Sequence, residues 1–232
     1  MLMLLPIVVA LVAADPAPAA SSAPRPTPLT EIGRVRAIPA CVPIVAHANG
    51  AITQALDNDR TLAVLTTNLH NTNFDKLNFM QRKNAIDALM KQAEAMRIAS
   101  SAGDAEVKKL REYAANSADP KRKQELKTFA DALGGALYRQ KKAAVEFMRD
   151  VAVLQGREDA AEARGLMRAA NIVPSYAAAQ AAANKPSILP GVPDSYNKQF
   201  QGIGDTLDDL AKGILMDEGT AADHSIAATS GC

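Results

Sequence analysis

Apolar residues recur along this chain in steps of three and four, the period of an α-helix with one buried face. The clearest stripe is Leu126, Ala130, Leu133, Leu137, Ala144, Met148 and Val151, interrupted by one polar step at Gln140. Asp119 followed by Pro120 precedes it, a capping acid and then proline in the first turn, so a helix is predicted from there to about Gln155, with Gly156 as its stop. Gly134 and Gly135 lie inside it; each costs about 1 kcal/mol relative to alanine and calls for a packing reason or a bend. A second stripe, Val45, Ala48, Ile52, Ala55, Leu62, Leu65 and Leu69, predicts a helix from near Pro43 to about residue 71, broken in pattern by Asp59. Phe79, Ile86, Leu89, Ala93 and Met96 predict another over about Phe74 to Ser100. Gly103 closes it, and Asp104 caps a short helix carrying Val107, Leu110 and Tyr113.

Toward the C-terminus, residues 157–172 and 175–184 read as alanine-rich helix divided at Pro174, and Lys185 to Pro193 as a rigid loop. Tyr196, Phe200, Ile203, Leu207, Leu210 and Ile214 then form a narrow seam, predicting a last helix from about Asp194 to Met216. No stretch combines β-branched residues with strict alternation, and the nearest, Ile32 to Ile44, contains Pro39 and Pro43. The pattern therefore predicts an all-α protein, an up-and-down bundle of four main helices plus one or two shorter ones.

The ends follow another logic. Leu2 to Leu5 and Ile7 to Ala14 form an apolar run too short to cross a bilayer but suited to a signal peptide, although no Lys or Arg precedes it. Cleavage is expected before Asp15, with a second option after Ala19. The expected organisation is a signal peptide over 1–14, a disordered Pro/Ala/Ser linker over 15–30, the bundle over 31–219 and a flexible tail over 220–232. The mature chain should carry no transmembrane segment and reside in the periplasm or outside the cell.

In an oxidising compartment two lone cysteines usually pair, so Cys41 and Cys232 are expected to form a disulfide. Formal charge nearly cancels, at +1, which argues against nucleic acid as a partner. It is unevenly spread: residues 104–149 hold eleven bases and seven acids, and residues 194–218 two bases and six acids, so these segments favour one another as neighbours. The membrane surface is a weak alternative, since the polar faces mix acids and bases.

Candidate chemistry is sparse. His47, His70 and His224 lie far apart, no Glu stands three residues before a His, and no pair of cysteines is followed by histidine, so neither a metal nor a haem is expected. Met80, Met90, Met96, Met148 and Met167 read as core filler. There is no nucleophile elbow or phosphate loop, and Gly202-Ile203-Gly204 lacks both the third glycine and the preceding strand. Lys121, Arg122 and Lys123 occupy a first helical turn, where the helix dipole favours an anion or an acidic partner. The reading is an exported, non-catalytic bundle that works by contact. The alternative is a ligand carrier or an enzyme whose site is assembled from dispersed residues. The bundle interior discriminates: a dry apolar core favours contact, and an inward pocket holding polar side chains favours a ligand.

Overall fold

A computed structural model describes residues 26–32, 41–169 and 195–229, and of residues 158 and 160–169 the helical backbone alone. It is an all-α bundle. The helices are α1 (Val42–Asn71), α2 (Phe79–Asn116), α3 (Pro120–Ala169) and α4 (Tyr196–Thr229), with one 3-10 turn at Phe74–Lys76. The links after α1 and α2 are only a few residues long, which makes successive helices antiparallel. The last helix is antiparallel to α1. Its start lies beside the end of α1, where His70 meets Asp208, and its end shares an apolar cluster with Ile44 and Ala48. The acidic α4 packs against the basic α3, and Arg139 donates to Asp217 at 2.7 Å across that contact.

Local chemistry fixes the starts. Asn78 forms a capping box with Gln81, each side chain accepting from the other residue's backbone N–H, which places the start of α2 at Phe79 rather than Phe74. Phe74 instead plugs the core from the 3-10 turn and stacks on Phe200, with ring centroids 4.1 Å apart. Asp75, in the same turn, accepts from the backbone N–H of Tyr196 at 2.6 Å and so caps α4 from outside that helix. Asp119 accepts from the N–H of Lys121 at 2.9 Å, the cap expected for α3.

Three expected helix ends do not occur, and the shorter helices expected around Asp104 and after residue 157 are parts of α2 and α3. Gly103 is buried within α2: a Cβ there would lie 2.7 Å from Leu137 Cδ2, so glycine is the residue that lets α2 and α3 approach. Gly156 lies within α3, which runs on to Ala169. Gly219 lies within α4, where a Cβ would fall 2.6 Å from Pro26 Cβ. Residues 220–229 are therefore helical, not a flexible tail. Gly134 and Gly135 have packing reasons too, since their Cβ positions would meet Arg111 and Asp217.

Residues 26–30, expected as disordered linker, are seated on the bundle. Leu29 is buried beside Ile44, Ile52 and Ala222. The Asn49 amide clasps the backbone of Ile32, accepting from its N–H at 2.7 Å and donating to its carbonyl at 3.0 Å. Thr27 donates to Asp223 of α4, and Thr53 of α1 donates to Glu31 at 3.1 Å. This strap thus lies in the α1–α4 seam. The expected signal peptide, the rest of the expected linker, the helix expected over 175–184 and the loop expected at 185–193 lie outside the described residues.

The core is two apolar clusters stacked along the bundle. One gathers Leu65, Leu69, Phe74, Ile86, Phe147 and Phe200; the other gathers Leu29, Ile52, Leu110, Phe129, Leu133 and Leu137. Met96 is buried in the first cluster, and Met90 and Met148 pack against it, whereas Met80 faces solvent.

Candidate functional site: a buried polar layer under a groove

A layer of polar side chains separates the two clusters. Asn58, Ser100, Gln140 and Glu218 are each at most 4% exposed. They come from α1, α2, α3 and α4 in turn, so every helix contributes one. Asn58 Nδ2 donates to Ser100 Oγ and to Gln140 Oε1, both at 3.0 Å. Ser100 Oγ donates to the Met96 carbonyl at 2.9 Å. Gln140 Nε2 sends its protons to the Ala55 carbonyl at 2.9 Å and to Asp59 Oδ1 at 2.8 Å, and Glu218 Oε1 lies 3.4 Å away. Among the described residues, Gln92 Oε1 is the one buried side-chain polar atom without a partner. Elsewhere the interior polar groups are spent on one another, which offsets the cost of burying them.

Two carboxyls meet in this layer. Burial, then the hydrogen bond to Asp59, then the charges of Asp59 and Asp217, push Glu218 up to about 9. Burial also raises Asp59, against the opposing hydrogen bonds from Glu218 and Gln140. The physical content is one proton held between two acids: Glu218 is neutral at neutral pH and donates to the Asp59 carboxylate. Among the described residues no Lys, Arg or His forms an ion pair with either acid, and Arg139 is committed to Asp217.

Asp59 also faces outward into a groove of about 360 Å³ between α1 and α4. Leu62, Thr66, Ala211 and Leu215 form its walls, and Asp208 stands at the far end. Beside that end, His70 Nε2 is 3.2 Å from Asp208 Oδ2 and 4.0 Å from Asp205 Oδ1, its ring lying over Gly204. Ligand atoms of these three residues lie within 4.8 Å of one another, a donor set that suits a divalent cation; both acids are exposed.

The other histidines also join helices. His47 contacts Glu106 of α2, and His224, which lies in α4 and not in a tail, contacts Glu125 of α3, both at 2.6 Å. Of the basic group at the start of α3, Arg122 turns inward and donates to Cys41 Sγ at 3.2 Å. Lys123 donates to the Ala115 carbonyl at 3.2 Å, and Lys121 is exposed. Cys41 is 2% exposed at the start of α1, and Cys232 lies outside the described residues.

In the sequence the layer showed only where Asp59 and Gln140 interrupt apolar stripes; Asn58 and Ser100 were not singled out. Glu218 was missed, because the last helix was expected to end before it. The His70 group was missed because its acids come from a helix more than a hundred positions away. Among the described residues no helix is long and apolar enough to cross a membrane. Comparison with known protein families, curated proteins and solved structures finds no match for this chain.

Proposed function

We propose that this is an exported, non-catalytic helical-bundle protein that acts by contact with a protein partner. The observation that carries this reading is the bonded polar layer: among the described residues its side chains bond one another instead of converging on an empty space. What the bundle offers is surface, and the groove above Asp59 is one concave part of that surface among the described residues. The same groove favours a second reading, a carrier of a small ligand, because its volume falls within the usual range for ligand sites, roughly 300–1,000 Å³.

Export rests on the apolar N-terminal run, and the cysteines fit it. Cys41 is buried one residue before α1, and α4 ends at Thr229, three residues before Cys232, with Ala228 in the same apolar cluster as Ile44 near the start of α1. Three residues span up to about 10 Å, so a Cys41–Cys232 bridge would tie the two ends of the bundle together. Affinity capture from the native envelope and secreted fractions, with N-terminal sequencing and non-reducing peptide mapping of the recovered chain, tests the whole proposal. A mature start at residue 15 or 20, a Cys41–Cys232 peptide and a stoichiometric protein partner are expected. An intact Met1 in the cytosolic fraction would refute export. A chain that is monomeric and partner-free in every fraction would refute the contact reading.

A further inference from the structure

The α1–α4 seam is occupied along half its length and open along the other half. The strap of residues 26–32 fills the first half, with Leu29 as its buried side chain and the Asn49 amide holding its backbone. The two walls then continue without a change of face. On α4 the stripe runs from Ala222 and Gly219, which bear on the strap, to Leu215, Ala211 and Asp208, in steps of three and four. On α1 it runs from Ile52 and Ala55 to Asp59, Leu62 and Thr66, again in steps of three and four. In the open half Leu215 is 52% exposed, with no described segment lying over it.

We infer that the open half of this groove is a docking site for an extended segment of a protein partner, which seats an apolar side chain against Leu62 and Leu215 and a lysine or arginine at Asp59. The inference rests on the contact reading and adds a place and a chemistry to it. The extended form is argued from the strap: this seam already accepts one such segment, through an inserted leucine and a clasped backbone. The cation is argued from charge. Asp59 stands at one end of the open half, beside Asp217 and the protonated Glu218, with Asp208 and Asp205 at the other. His70 attends Asp208, Arg139 attends Asp217, α2 contributes the neutral Ser100 to the layer, and no basic side chain among the described residues is paired to Asp59. A carboxylate lining an apolar groove favours a cation on whatever fills it. The strap of a second copy is disfavoured by the same argument, since its one charged residue, Glu31, would meet Asp59.

The strap sequence supplies matched probes. The full chain, labelled with nitrogen-15, is titrated with the heptapeptide Pro-Thr-Pro-Leu-Thr-Lys-Ile and with its parent, in which glutamate replaces the lysine. The lysine peptide should shift the amides of Leu62, Thr66, Ala211 and Leu215 and bind about tenfold more tightly than the parent, a margin that one compensated charge supplies. Asp59→Asn should bring the two peptides to equal affinity. Leu215→Lys changes an exposed position, so it should leave the thermal melt unchanged while abolishing the shifts; it decides the matter even if Asp59→Asn does not fold. Absence of shifts at millimolar peptide, equal binding of the two peptides to the wild-type chain, or shifts confined to another surface would overturn the inference. Capture of one native partner equally by wild type and Leu215→Lys would keep the contact reading and refute this site.

Discussion

Replacing Glu218 by glutamine tests the proton held in the buried layer. The carboxyl ordinarily ionises near 4.5, and in the fold it is pushed up to about 9. The folded chain therefore keeps a proton that the unfolded chain releases above about pH 4.5. For a raised acid the folded state is favoured in full at low pH, and that advantage is lost as pH climbs from the lower value to the higher. The slope is about 1.4 kcal/mol per pH unit while the two states differ by one proton. At about pH 7.5, three units above the unfolded value, wild type should have lost up to about 4 kcal/mol relative to its stability in mild acid. Asp59 is raised as well and acts in the same direction. A glutamine has the same shape and cannot ionise; its N–H can donate to Asp59 and its carbonyl can accept from Gln140. Glu218→Gln should then be close to wild type at about pH 4.5 and more stable by about 2–4 kcal/mol at about pH 7.5, with the gap widening up to about pH 9. Urea denaturation of both proteins across this range, with the slopes compared to verify that each unfolds in two states, gives the gap directly. A gap that stays constant with pH, or a glutamine variant that is less stable throughout, would show that no proton is held there.

Three further outcomes follow from packing. Gly103→Ala should destabilise by about 1–3 kcal/mol in chemical denaturation despite its better helix propensity, because the Cβ meets the wholly buried Leu137, whereas Gly156→Ala, with nothing within 4 Å, should stabilise by up to about 1 kcal/mol. Leu133→Ala and Leu137→Ala should each cost about 2–5 kcal/mol, and Asp119→Ala, which loses only a cap, about 1 kcal/mol; equal effects from all three would misplace the core. Gly219→Ala should release the strap, read as new protease cleavage within residues 26–32 while the circular dichroism of the bundle is unchanged.

Helix existence was legible wherever the apolar stripe was long, and α1 and α3 begin where Pro43 and the Asp119-Pro120 pair said they should. Helix ends were not, and two of the errors share a cause. A glycine after an apolar stripe is the usual mark of a stop, yet Gly103 and Gly219 lie within longer helices at points of close approach. What distinguishes the two uses is the atom that comes near, Leu137 in one case and Pro26 in the other, and both are remote in sequence. The strap was misread for a related reason. A Pro/Ser/Ala composition predicts no packing of its own, but one leucine and one clasped peptide unit suffice once α1 and α4 have formed a seam. The polar layer could be read in part, since Asp59 and Gln140 violate their stripes. Its fourth member could not, because extending α4 past Met216 is what makes Glu218 an interior residue.

The layer also accounts for how a bundle with such plain apolar faces holds one register. Below the layer, α4 buries Gly219, Ala221, Ala222, Ala228 and Thr229, all small; above it the helix presents Phe200, Leu207 and Ile214. Small residues set few steric limits on sliding, so the lower half alone would tolerate a shift of α4 by one turn. Such a shift, about 5.4 Å, would carry Glu218 out of reach of Asp59 and Gln140 and leave its buried carboxyl without those partners, at a cost of about 1–3 kcal/mol. The same shift would move Gly219 from beneath Pro26 and put a side chain where the strap now passes. The polar layer and the strap thus penalise the same displacement from opposite sides of one seam. Buried polar contacts used in this way contribute to the choice of one arrangement more than to the total stability, and here they hold in place the two walls of the α1–α4 groove.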